Sequence, residues 1–144
     1  MPQQTDATQP PFHIVLNYRR EDASGHAGRL YDDLAKRFGD DRVRYMLGDI
    51  RNRARMARAC QGVDIVVHAA AMKQVPACEY NPFEAVQTNV MGAQHVVDAA
   101  INAGVQRVVA LSTDKAVNPV NLYGATKLCM EKIIVQGNAY AAQF

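Results

Sequence analysis

The residues best suited to acid/base chemistry lie between positions 112 and 127. Residues 112–115 read S-T-D-K and follow an apolar run, and Tyr123 and Lys127 come one short loop later. On a helix, residues four positions apart share one face. A neighbouring ammonium favours the phenolate, which lets a tyrosine take a proton from a hydroxyl. The spacing therefore predicts a Tyr–Lys pair beside an acid and a base, Asp114 and Lys115, at the end of the preceding strand.

Short apolar runs alternate with amphipathic segments along the chain. The pattern predicts strands at 13–17, 43–47, 63–68 and 107–111. It predicts helices at 25–38, 51–61, from 82 to before Gly104, and at 121–137. The continuous β-branched run at 65–67 is typical of an interior strand of a parallel sheet. We therefore expect an α/β fold, a three-layer sandwich with a parallel sheet of four strands, Rossmann- or flavodoxin-like.

Length and composition favour one globular domain of a cytoplasmic protein. The 144 residues suit a single domain over 12–144, and the polar, proline-bearing residues 1–11 are predicted to be a disordered lead. The three cysteines form no C-x-x-C pair, and the four histidines lack metal-ligand spacing, so no metal is expected. A net charge of +2 predicts no nucleic-acid partner, and no apolar run is long enough to span a membrane.

The Y-x-x-x-K spacing after such a strand resembles the short-chain dehydrogenase/reductase superfamily. Within it, G-D-I-R-N at 48–52 and the segments 63–100 and 107–132 resemble the inverting UDP-N-acetylglucosamine 4,6-dehydratase family of polysaccharide biosynthesis. The resemblance spans residues 43–140. It implies a lyase with a Rossmann-like core that uses NADP, or NAD, and takes a UDP-sugar.

The resemblance also implies a set of cofactor-binding residues. Asp49 and Ile50 would flank the adenine, and Lys73 would lie near the substrate or the cofactor ribose. Asn89 would brace the site from the long helix, and Ser112 would contact the cofactor. The small side chains that would allow the dinucleotide to approach closely are Ala69, Ala70 and Ala71.

The catalytic roles implied by the resemblance centre on Tyr123. It would deprotonate the C4 hydroxyl of the sugar, with Lys127 supporting it and holding the nicotinamide ribose. Asp114 and Lys115 would serve as acid and base when water is eliminated across C5 and C6. Thr113 would hydrogen-bond the sugar.

The front of the chain shows a second resemblance. Residues 12–43, with Y-R-R-E-D and A-G-R-L-Y, resemble the first strand and helix of a bacterial TIR domain. This favours a chimera joined near Arg37–Val43, with a TIR-like βα unit at 12–42 and a dehydratase-like unit at 43–144. Three alternatives stay open: a natural truncated homologue whose first strand is a drifted second strand of the dehydratase, an engineered chimera without selected activity, and a TIR-like signalling or NAD-cleaving module.

The order of strands decides what stands in the phosphate site. If the first strand occupies the central slot, the order is 2-1-3-4, and Arg19 and Arg20 lie where the dehydratase family carries its Gly-rich loop. The sequence has no G-x-G-x-x-G, so we expect weak dinucleotide binding and an incomplete catalyst. An exposed edge at strand 107–111 predicts a tendency to form homodimers.

Overall fold

A computed structural model describes residues 14–18 and 20–142, without the side chains of residues 16–27, 44 and 45. Strands and helices alternate, which confirms the predicted α/β class. The strands are β1 (Ile14–Tyr18), β2 (Val43–Leu47), β3 (Ile65–His68) and β4 (Arg107–Ala110). The helices are α1 (Arg20–Phe38), α2 (Arg53–Ala59), α3 (Val75–Tyr80), α4 (Pro82–Val86), α5 (Gly92–Asn102) and α6 (Leu122–Ala141). A π-helical turn, Gln87–Met91, joins α4 to α5, and short 3₁₀ turns cover Asp40–Arg42 and Asp114–Ala116.

The strands pair in parallel, as predicted, but not as a single sheet of four. β1 pairs with β2 and β3 pairs with β4, giving two two-stranded sheets among the described residues. Two neighbour relations of the order 2-1-3-4 are thus present. The third, a hydrogen-bonded ladder between β1 and β3, is not found there, so that order is not confirmed. The arrangement fits the alternative in which β1 is the second strand of a dehydratase, since that strand lies beside the third and away from the fourth.

The β3–β4 sheet is covered on one face, whereas the apolar run at 65–67 predicted burial on both. His68 is 4% exposed, while Ile65 and Val67 are 57% and 64% exposed. On β4, Val109 and the following Leu111 are also exposed. Side chains alternate between the two faces of a strand, so helices cover the His68 face and leave the other bare.

Helix α5 lies at the centre of the helical layer. It packs against α2 through a cluster of buried side chains, in which Val96 and Ala99 of α5 meet Met56 and Cys60 next to Ile50. A second cluster joins α3, α4 and the start of α6 and consists of Cys78, Ala85 and Tyr123. The first cluster fixes the loop after β2, and the second fixes the first turn of α6.

The segment between β3 and α5 departs from prediction in two ways. Residues 75–80, expected to be loop, form α3, with its proline in the first turn, where a missing N–H is tolerated. The long helix from Pro82 exists but is interrupted by the π-helical turn. The helical spacing of Phe83, Val86 and Val90 predicts that Phe83 is buried, but Phe83 is 71% exposed, and Ala85 and Asn89 are buried instead.

Gly124 allows α6 to begin directly against the loop that carries Asp114 and Lys115. A Cβ at position 124 would lie 2.1 Å from the Lys115 carbonyl oxygen and 3.1 Å from Pro119 Cβ. Asn121 caps the helix, its Oδ1 accepting a hydrogen bond from the Gly124 N–H at 2.8 Å. A side chain at 124 would therefore push the S-T-D-K loop away from the Tyr123 turn.

We expect Gly124→Ala to destabilise the protein by about 2 kcal/mol, because the clash is with backbone and its cost lies near the top of a range of about 1–3 kcal/mol, which outweighs the roughly 1 kcal/mol that alanine gains in a helix. Gly137→Ala in the same helix is the matched control. Its Cβ would meet Val97 Cγ1 at 3.0 Å, a side chain that can shift. Urea unfolding of the two variants measures the difference, and equal stabilities would contradict the close approach.

Candidate active site

Lys127 joins α6 to the ends of two strands. Its Nζ donates a hydrogen bond to the Leu111 carbonyl at 2.6 Å, and the Leu111 N–H donates to the His68 carbonyl at 2.9 Å. The side chain is buried, at 4% exposure. Burial and the nearby charge of Lys73 lower the pKa of Lys127, whereas Glu131 raises it. The structure thus holds an ammonium at the carboxyl edge of the β3–β4 sheet.

Tyr123 lies one helical turn before Lys127, as predicted. Its ring is 8% exposed and packs with Cys78 and Ala85. Its hydroxyl is not among the fully buried, unpaired polar atoms of the described residues. The ring is therefore held in place by apolar contacts at the first turn of α6.

Asn89 locks the loop after β3 to α6. Its Oδ1 accepts from the Met72 N–H at 2.7 Å, and its Nδ2 donates to the Met72 carbonyl at 3.0 Å and to Thr126 Oγ1 at 3.0 Å. Thr126 Oγ1 donates in turn to the Tyr123 carbonyl at 2.8 Å. Asn89 is 1% exposed and lies within the π-helical turn. Asn89 thus holds the loop after β3 against α6, while its role toward a cofactor stays a prediction.

The S-T-D-K loop presents an ion pair beside the start of α6. Lys115 Nζ lies 3.3 Å from Asp114 Oδ1, which also accepts a hydrogen bond from Thr113 Oγ1 at 3.0 Å. The Thr113 hydrogen bond, followed by that from Lys115, lowers the pKa of Asp114. Asp114 is therefore held as a carboxylate in the ligand-free protein, the form that accepts a proton rather than donates one.

After β2, one arginine forms ion pairs with two carboxylates. Arg51 donates hydrogen bonds to Asp49 from Nε at 2.9 Å and from Nη2 at 2.6 Å. Its Nη1 donates to Glu84 of α4 at 2.6 Å. The Ile50 carbonyl lies 3.1 Å from His95 Nδ1 of α5. Asp49, Arg51 and Glu84 line an open polar depression at this end. The sequence does not predict these contacts of Arg51, because an i, i+2 contact just before a helix leaves no periodic signal.

The other predicted cofactor residues follow β3 and β4 or lie at the start of α1. Lys73 is close enough for its charge to act on Lys127. Ser112 donates a hydrogen bond to Glu131, a residue that the sequence did not single out. The three alanines follow β3, with Ala69 and Ala70 exposed and Ala71 half-buried. Arg20 opens α1, and its side chain, like the whole of Arg19, lies outside the described residues.

His68 carries the one fully buried, unpaired side-chain polar atom in the described part of the chain, its Nε2. Burial, and then the charge of Lys127, lower the pKa of His68 to about 4. The sequence analysis did not assign it a role. A buried nitrogen without a partner next to Lys127 is an unused hydrogen-bonding position in the candidate site.

We expect His68 to make stability depend on pH. Unfolded histidine takes up a proton near pH 6.5, but folded His68 resists protonation down to about pH 4. Its contribution is therefore complete above pH 6.5 and is lost as the pH falls to 4, by up to about 3 kcal/mol.

Urea unfolding at pH 7 and pH 4.5 tests this contribution. His68→Gln should flatten that part of the stability curve, whereas His95→Gln, a histidine away from Lys127, should not. Equal pH dependence in both variants would show that carboxylates alone produce the effect.

Two negative findings apply to residues 14–18 and 20–142. No group of three or more His, Cys, Asp or Glu side chains there could hold a metal ion. No helix in these ranges is long and apolar enough to cross a bilayer.

Comparison with known proteins agrees with the dehydratase resemblance. The chain is 52% identical over 109 residues to the inverting UDP-N-acetylglucosamine 4,6-dehydratase of Campylobacter jejuni, covering 76% of this chain and 33% of that protein. It is 48% identical over 104 residues to the UDP-glucose 4-epimerase of Rickettsia massiliae, covering 72% of this chain and 30% of the relative. The chain thus spans about a third of the length of these relatives.

The fold agrees with that of a solved 4,6-dehydratase. The dTDP-glucose 4,6-dehydratase of Streptomyces venezuelae, determined with NAD bound, superposes with a TM-score of 0.74 at 29% identity. The match covers 91% of this chain and 44% of the other. The parts of the present chain before and after residue 43 therefore belong to one fold.

The family model described as polysaccharide biosynthesis protein matches residues 7–144. The match runs through residues 12–43 without a break at Arg37–Val43, so the TIR resemblance and the chimera it suggested receive no support. The first strand and helix belong to the same family as the rest. The chain is a member of the polysaccharide biosynthesis protein family.

Proposed function

We propose that this chain is the dinucleotide-binding portion of a nucleotide-sugar 4,6-dehydratase that acts on a UDP-N-acetylhexosamine such as UDP-N-acetylglucosamine. One observation carries the proposal. Lys127, a buried ammonium that donates to the carbonyl just after β4, lies one turn of α6 from Tyr123. This arrangement suits the removal of a proton from a sugar hydroxyl.

Each residue of the site then has a defined task. Tyr123 takes the proton of the C4 hydroxyl, and Lys127 stabilises the phenolate. Thr113 hydrogen-bonds the sugar. Asp114 and Lys115 move the protons required to eliminate water across C5 and C6, beginning with Asp114 as a carboxylate. A bound nicotinamide would accept the hydride from C4 and give it back at C6, so that the overall loss of water is redox-neutral.

Several features fit a dinucleotide at the ends of β2 and β3. The exposed Ala69 and Ala70 leave room for close approach, and Lys73 offers a positive charge near Lys127. Asp49 and Ile50 would flank the adenine. The attraction of phosphate by Arg19 and Arg20 depends on a central position of β1, which the strand pairing does not confirm, so it stays a prediction. We assign NADP or NAD as the cofactor.

A nucleotide-sugar 4-epimerase is the second candidate, favoured by the Rickettsia relative. Inverting the C4 hydroxyl by oxidation and reduction requires one acid/base group, which Tyr123 supplies. Elimination of water requires further proton carriers. The Asp114–Lys115 ion pair beside Tyr123 therefore favours the dehydratase.

Titration with NADP and with UDP-N-acetylglucosamine, followed by amide NMR shifts, tests the proposal. We expect saturable shifts at Gly48, at Ala69–Ala71 and across residues 112–127. Lys127→Met should weaken NADP binding about tenfold or more, the loss of one charge-assisted hydrogen bond. Lys132→Met, which removes an exposed charge from the same helix, should leave it nearly unchanged. Shifts absent at millimolar ligand would overturn the proposal.

We also propose that the chain associates as a homodimer through the edge of β4. Among the described residues β4 pairs only with β3, so its other edge offers N–H and C=O groups for pairing, and Val109 and Leu111 are exposed beside it. Light scattering on a sizing column should show a mass that rises with concentration. Val109→Lys should reduce it, and Val135→Lys, at an exposed position on α6, should not. A constant monomer mass at high concentration would exclude this dimer.

A further inference from the structure

Glu131 lies one turn after Lys127 on α6, and its Oε1 accepts a hydrogen bond from Ser112 Oγ. Ser112 directly follows Leu111, the residue whose carbonyl receives the Lys127 ammonium. Two consecutive residues after β4 are therefore held by two side chains on consecutive turns of one helix. Neither the sequence motifs nor the roles proposed above assign any task to Glu131.

The charges around Lys127 come from three elements. Lys73, in the loop after β3, opposes the ammonium, and Glu131, on α6 itself, favours it. His68 of β3 stays neutral over most of the pH range and contributes no charge of its own. A buried ammonium is disfavoured by loss of water, so a nearby carboxylate favours its charged form.

We propose that Glu131 is a positioning residue for the Tyr123–Lys127 pair, acting through Lys127. Its carboxylate, one turn along α6 and hydrogen-bonded to the residue after Leu111, supplies a counter-charge that favours the ammonium form of Lys127 at the Leu111 carbonyl. The inference rests on the proposed function, because the role of Lys127 in supporting Tyr123 gives the counter-charge its purpose. Glu131 could act on Lys127 in two ways, through its charge or through its hydrogen bond with Ser112.

Side-chain NMR titration of Lys127 in the ligand-free protein distinguishes the two contributions. Glu131→Gln keeps an oxygen that can accept from Ser112 but removes the charge, so the pKa of Lys127 should fall below that of the unsubstituted protein. Ser112→Ala removes the tether but keeps the charge, so the pKa should stay nearly unchanged. Lys73→Gln, which removes the opposing charge, should shift it upward.

The unsubstituted Glu131 provides a second measurement that does not depend on the folding of Glu131→Gln. In the His68→Gln background, where no imidazole titrates nearby, protonating Glu131 should move the Lys127 side-chain resonance. Equal pKa shifts in Glu131→Gln and Ser112→Ala, or none in Glu131→Gln, would overturn the proposal, since a merely structural role moves both alike. No ligand is used, so failure of NADP to bind would count against the proposed function alone.

Discussion

The burial of one ammonium group is the constraint on which the candidate site depends. Lys127 is 4% exposed, and removing a charge from water costs several kcal/mol unless partners replace the hydration. The Leu111 carbonyl is one such partner, and it is available because β4 ends there and pairs with β3. The ends of two strands and one helix thus meet around a single charge, which fixes where Tyr123 can be.

Asn89 satisfies backbone polar groups in an irregular loop, as Lys127 satisfies a carbonyl at the strand ends. The loop after β3 has no ladder to satisfy its polar groups, and Asn89 pairs with both the N–H and the carbonyl of Met72. Such a side chain must enter the protein interior, and the π-helical turn around it lets an otherwise regular helix admit it. Because Nδ2 also reaches Thr126, the loop and α6 are held in one register.

How much the sequence could predict depended on whether a feature repeats. The strands, the α6 helix and the Tyr123–Lys127 spacing follow from periodicity and were predicted. The buried face of α4 was not, because Phe83 is more apolar than Ala85 but lies on the side away from Asn89. Arg51 and Glu131 were missed for a similar reason, since their partners are set by tertiary approach. A single sheet of four was expected because strands that alternate with helices form a parallel sheet. A local sequence pattern cannot show which of those strands are neighbours.

Helix α5 connects the two halves of the candidate site. At its first residue, Gly92, a Cβ would lie 2.6 Å from Ile50 Cδ1, so the loop after β2 packs directly on the helix. The preceding π-helical turn carries Asn89 and thereby the loop after β3. An adenine beside Asp49 and a nicotinamide beside Lys127 would both be positioned by this one rigid element. In the proposed binding mode, the separation between the two ends of the dinucleotide would therefore be set by α5 and its π-helical turn. The end of β2 is tied to the same region, because Arg55 Nε donates to the Leu47 carbonyl at 2.7 Å.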